Sequence, residues 1–172
     1  MKKRAVALVL IAVLSGATSV RAQGGWTTYA PPGSNLSILV PLTPEVLPVE
    51  RNTQGGTAYE VHLYRIRTSS MVYIFGWTDY HERVDVEGEL DANRDNFVKA
   101  LTGRLLGETK ITLNGVSGRE FIGENTNGFF ISRVYAAGTR AYQAAVLILA
   151  GGSDDARLVT RFLYSMQLTA SR

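Results

Sequence analysis

Apolar residues recur along the chain at two periods, and the changes between them predict the order of its elements. Leu36-Ser37-Ile38-Leu39-Val40 reads as a first strand, stopped by Pro41. The stretch from there to Gly56, carrying Pro44, Pro48 and Gly55-Gly56, reads as an irregular connection. Residues 57–67 alternate with a period of two: Tyr59, Val61 and Leu63 fall on one face, Glu60 and His62 on the other. Residues 71–80 are apolar on both faces, with Val72 and Ile74 on one and Tyr73, Phe75 and Trp77 on the opposite one. Such a strand is covered on both sides. The period then lengthens. Phe97, Leu101 and Leu105, with Val98 alongside, recur every four residues and predict a helix over 91–106, closed by Gly107. Asp91 or Asp95 would favour its N-terminal end through the helix dipole.

Hairpins follow. Asn114-Gly115 between 111–113 and Val116-Ser117 is the strongest short turn signal, because both residues accept positive φ. Asn125-Thr126-Asn127-Gly128 joins 119–124 to 129–137, and Gly138-Thr139 joins 134–137 to 140–149, setting Tyr135 across from Tyr142. Counting back from the Asn125–Gly128 turn puts Glu124 opposite Phe129 and Glu120 opposite Arg133, a cross-strand ion pair. Ser153, with Asp154 and Asp155 behind it, predicts the cap of a second helix whose apolar stripe is Val159, Phe162, Leu163 and Met166. Strands, a helix, a run of strands and a helix predict an α+β fold, a mainly antiparallel sheet with helices packed on it.

The N-terminal residues change the charge picture. Met1-Lys2-Lys3-Arg4 leads into an apolar run over 5–14 and a polar stretch ending in Val20-Arg21-Ala22. This is the three-part order of a cleavable secretory signal, over residues 1–22. Its apolar core is half of the roughly 20 residues that a membrane-spanning helix needs. Cleavage after Ala22 would leave Gln23 first and 23–172 as a single domain. The whole chain carries 18 Lys and Arg against 15 Asp and Glu, a net charge of +3. Four of those bases (Lys2, Lys3, Arg4, Arg21) belong to the signal, which leaves 14 against 15 and a net charge of −1. The basicity that would suggest nucleic acid is therefore the leader's, and a nucleic-acid partner is excluded. No later segment is apolar over enough length to span a bilayer. The chain has no cysteine, so neither a lipid anchor nor disulfides are available and packing must hold the fold. The expected location is outside the cytoplasm, periplasmic or extracellular.

Several motifs together resemble a known family. Trp26 precedes a strand that ends Val40-Pro41-Leu42-Thr43-Pro44. Leu113-Asn114-Gly115-Val116-Ser117-Gly118-Arg119-Glu120-Phe121 is similar to a hairpin in which a Gly-Arg-Glu triplet follows the turn, with Ser117 where the family carries proline. Arg133-Val134-Tyr135, Arg140-Ala141-Tyr142-Gln143 and Phe162-Leu163-Tyr164-Ser165 continue the likeness. These resemble the exported bacterial proteins with a PsbP-like α/β/α sandwich. The resemblance spans nearly all of 23–172 and implies a fold and a binding or accessory role, not a reaction.

Candidate chemistry is thin. His81-Glu82-Arg83-Val84-Asp85 places Asp85 where the zinc motif His-Glu-x-x-His needs its second imidazole. Gly115-Val116-Ser117-Gly118 is followed by Arg119 instead of the final glycine of a nucleophile elbow, and it lies in a hairpin. A Ser/His hydrolase would have to use His62 or His81, the only two histidines. Asp85, Glu87, Glu89 and Asp91 fail as a calcium loop, with Leu90 at the sixth position and Asn96 at the twelfth. They read as a solvated loop leading into a helix, with cation binding by 82–91 as the alternative. No catalytic residue, metal ligand or cofactor is assigned. The reading is an exported, non-enzymatic accessory or binding domain whose partner is a protein or small ligand of the cell envelope. Docking is expected where the 71–80 strand ends, at Trp77, Tyr80, His81 and Glu82, because aromatic residues at a strand exit approach the rim of a sheet.

Overall fold

The structure, a computed structural model, describes residues 25–54, 57–152 and 155–169. The leader expected over 1–22, with its cleavage point, lies outside the described residues, as do Ser153 and Asp154. The elements in chain order are β1 (Thr27–Tyr29), β2 (Leu36–Val40), β3 (Glu45–Val46), β4 (Glu50–Gln54), β5 (Thr57–Arg67), β6 (Met71–Tyr80), α1 (Val86–Ala100), β7 (Arg104–Leu113), β8 (Val116–Asn125), β9 (Gly128–Ala137), β10 (Arg140–Leu149), α2 (Ala156–Leu163) and β11 (Gln167–Leu168).

Eight strands form one antiparallel sheet in the order β3–β5–β6–β10–β9–β8–β7, with β4 also pairing β5. A small second sheet runs β1–β2–β11. The sheet buries both faces. On one, Val61, Val72, Ile74, Phe121 and Phe130 pack with Leu90 and Phe97 of α1. On the other, Tyr73, Phe75, Trp77 and Tyr135 pack with α2 and the small sheet through Ile38, Val40, Phe162 and Met166. These are called the α1 face and the α2 face below. β6 contributes to both cores, as its two-sided apolar pattern requires.

The expected α+β layering is wrong: with eleven strands against two helices among the described residues, this is a β-rich, mostly antiparallel fold. Three local misreadings account for the difference. The connection up to Gly56 contains β3 and β4. Their pairing is tied by ions rather than apolar alternation, with Arg65 2.8 Å from Glu45 and Arg51 2.7 Å from Glu60, so periodicity could not reveal them. The first helix runs Val86–Ala100, not 91–106. It ends before Thr102, whose positive φ of 49° is outside the right-handed helical region, and Leu105 enters β7 instead. Gly107 marks a register shift in β7, not a helix end. Finally, the α2 face is covered as much by strands β1, β2 and β11 as by a helix.

The hairpins fall where the turns predicted. Asn114 and Gly115 have φ of 52° and 80°, Gly138 has φ of 61°, and Tyr135 stands opposite Tyr142. Helix α2 is capped by Asp155, whose carboxylate accepts from the Arg157 amide at 3.0 Å. Its stripe of Val159, Phe162 and Leu163 is buried, and Met166, expected on the same helix, is buried just beyond its end.

Candidate functional site

The residues expected to dock a partner do not share a surface. Side chains along a strand alternate between faces, so Trp77 and Tyr80, three positions apart, point to opposite sides of the sheet. Both are buried, Trp77 in the α2-face core and Tyr80 in the α1-face core, while His81 and Glu82 are exposed just after β6. The docking site proposed from sequence is therefore corrected: its aromatic residues are internal anchors.

Trp77 begins a chain of contacts that reaches the segment before β2 through Arg140. His62 stacks on its indole at 4.4 Å and 10°, and the indole Nε1 donates to Asp79 Oδ2 at 2.8 Å. The other Asp79 oxygen accepts from Arg140 Nε at 2.6 Å, and Arg140 Nη1 donates to the carbonyls of Gly33 and Ser34. His62 Nε2 lies 3.6 Å from Asp79 and 3.8 Å from Glu60. These neighbours are acids, where a Ser/His hydrolase would need a serine hydroxyl.

Tyr80 leads to a buried polar knot beneath α1. Its hydroxyl donates to Glu89 Oε1, and Asn93 Nδ2 donates to the same oxygen at 2.7 Å. Burial first, and then the Glu89 carboxylate, push the phenol's pKa far above its ordinary value. On the same face Gln143 Nε2 donates to Ser132 Oγ at 2.9 Å. Glu89, Asn93, Ser132 and Gln143 are almost wholly buried.

The acidic run is a second correction. It is not a solvated loop: it forms the first turns of α1 and seams that helix to β7 and β8. Arg119 reaches Glu87 at 2.8 Å, Asp91 at 2.9 Å, and Glu108. Arg94 pairs with Asp91, Asp95 and Glu108. Burial would raise the Glu108 pKa, but the hydrogen bonds and charges of Arg94 and Arg119 outweigh it and hold it below the usual value. With its oxygens so engaged, the run offers no open cation cage, and among the described residues no set of three His, Asp or Glu side chains is placed to hold a metal.

The Gly118-Arg119-Glu120 triplet divides between the two faces. Gly118 lies under the Tyr135 ring, where an added carbon would be 2.4 Å from Cδ1. Arg119 serves the seam on the α1 face. Glu120 stands opposite Arg133, their charged groups 3.0 Å apart, and Tyr164 roofs the pair with its ring 4.0 Å from the guanidinium and its hydroxyl 3.2 Å from Glu120.

Beyond that roof the α2 face is bare. Ile122 opposite Ile131, then Glu124 opposite Phe129, with Ile148 beside Phe129 in β10, continue the face outward. Ile122 is 40% exposed, Phe129 52% and Tyr164 56%. Arg104 of β7 pairs with Glu124 at the border. Comparison with protein-family models, curated proteins and solved structures finds no match. The shelf thus stands on its own geometry: two aromatic rings and branched aliphatic side chains on a rigid sheet, edged by Arg–Glu pairs. The sequence held one sign of it. Phe129-Phe130 sit side by side in a strand, so only one can face the α1 core; Phe130 does, and Phe129 is left outside.

Proposed function

We propose that the chain is an exported, non-enzymatic binding or accessory domain that engages its partner through the bare shelf of β8 and β9. The carrying observation is the exposure of Ile122, Phe129 and Tyr164 together on one rigid face. Aromatic residues beside arginine and set in a polar rim are the composition of interface anchors. Support for a non-catalytic role comes from the polar groups elsewhere: His62 is committed to carboxylates and Trp77, and the acidic run to Arg94 and Arg119. Export rests on the order of residues 1–22, and an accessory role accords with the PsbP-like proteins that the motifs resemble.

A photo-crosslinking residue placed at Phe129, and separately at exposed Asp95 as a control, tests this in producing cells. The expected result is a defined adduct at position 129 and none at 95, on protein recovered outside the cytoplasm with Gln23 at its N-terminus. Equal labelling at both positions in folded protein would remove the shelf as a binding face; recovery of unprocessed chain inside the cell would remove export.

A further inference from the structure

β7 is an edge strand: it pairs β8 on one side and no described strand on the other. Its side chains are exposed along most of its length, including Leu105 and Leu106. A long open edge is a template for another strand. We propose that it pairs with the β7 strand of a second copy, antiparallel about a twofold axis at Thr109, to give one continuous sheet.

Three observations select this occupant and this register. The first is hydrogen-bond parity. The two-residue turn at Asn114-Gly115, with positive φ at both residues, makes Leu113 and Val116 a hydrogen-bonded pair. Alternation then turns the amides and carbonyls of Ile111 and Thr109 inward to β8, and those of Thr112, Lys110 and Glu108 outward. Two copies can therefore bond only in registers that match outward residues with outward residues.

The second is charge. Among those registers, centring on Thr109 sets Glu108 opposite Lys110 of the other copy, twice by symmetry. Shifting one step either way sets Lys110 against Lys110, or Glu108 against Glu108. Like charges directly opposite are destabilising.

The third is space. In this register Ile111 of one copy lies opposite Gly107 of the other, and a side-chain carbon built at Gly107 meets nothing within 4 Å. The register shift between Leu105 and Gly107 limits the pairing to about six residues, so the dimer is weak, in the micromolar range. A twofold axis through Thr109, normal to the sheet, keeps both bare shelves on one side, but the pairing does not depend on the shelf having a partner.

The absence of cysteine from the chain makes the test clean. Thr109 faces Thr109 as a non-hydrogen-bonded pair, with Cα atoms about 4.5 Å apart, inside disulfide range. Under mild oxidation Thr109→Cys should cross-link into dimers at least tenfold faster than Lys110→Cys, whose opposite residue is Glu108. Sedimentation velocity should show a concentration-dependent dimer, weakened at least tenfold by Lys110→Glu and retained by Lys110→Arg. Lys110 is an exposed side chain, so neither change threatens the fold. A protein monomeric at about 500 µM, well above a micromolar dissociation constant, overturns the proposal. So does faster cross-linking at position 110 than at 109, or a dimer indifferent to Lys110→Glu.

Discussion

Removing the Tyr80 hydroxyl tests how α1 is held, because this helix docks through a polar knot as well as an apolar stripe. Glu89 is 1% exposed and accepts from Tyr80 and from Asn93. A hydrogen bond to a charged group contributes about 1.5–3 kcal/mol, and a buried polar group stranded without its partner costs about 1–3 kcal/mol. Tyr80→Phe takes one donor from the carboxylate, and Glu89→Met takes the carboxylate from the phenol, so each single change should cost about 2 kcal/mol. The double variant removes both ends together. Asn93 still reaches the Glu89 carbonyl at 3.4 Å, and the new side chains are apolar in an apolar setting. It should therefore be no less stable than either single variant, a coupling of about 1.5–3 kcal/mol. Urea unfolding followed by circular dichroism measures all four proteins, and unchanged m-values would show that the unfolded ensembles are comparable. Costs that simply add, to within about 0.5 kcal/mol, would refute the knot as the fastening of α1.

Two further outcomes follow from the same contacts. Gly118→Ala should cost about 1–3 kcal/mol through overpacking against the Tyr135 ring, whereas Gly107→Ala, with open space around it, should change stability by less than about 0.5 kcal/mol in dilute solution; thermal melts compare them directly, and equal losses would contradict the packing described. Glu108, whose folded pKa lies below its unfolded value, contributes stability that is present above about pH 4.3 and is lost as pH falls through the folded value; the melting-temperature gap between the protein and Glu108→Gln should be widest near neutrality and close in acid, and a gap that persists in strong acid would assign the loss to packing instead.

What the sequence disclosed depended on how each element announces itself. β6 was legible because both its faces are apolar, and Asn114-Gly115 because only certain residues tolerate that turn. Counting from the next turn was enough to bring Glu120 to Arg133. The start of α1 was hidden because two of its core-facing positions are Glu89 and Asn93, polar residues that interrupt the apolar period. Its apparent continuation to Leu105 was accidental spacing, ended by the left-handed backbone at Thr102. β3 and β4 are too short and too polar to show alternation. The separation of Trp77 from Tyr80 was within reach, since odd and even positions on a strand face opposite ways. The shelf was not, because exposure at Phe129 depends on where α2 and the small sheet stop.

The position of β10 beside β6 has a kinetic side. β5 and β6 are neighbours in sequence, and β7 to β10 form a meander of consecutive hairpins, so each group can assemble by local closure. Only the seam that sets Met71 against Ile148 and Asp79 against Arg140 joins the two groups, across the whole span of α1 and three intervening strands. Loop-closure entropy must be met there before any long-range contact returns it. Until the seam shuts, the most apolar strands of the molecule, Met71–Tyr80 and Arg140–Leu149, each present an open edge to solvent. The interval before that closure is when the chain is most exposed to pairing with the wrong strand, and when a chaperone would have the most to hold.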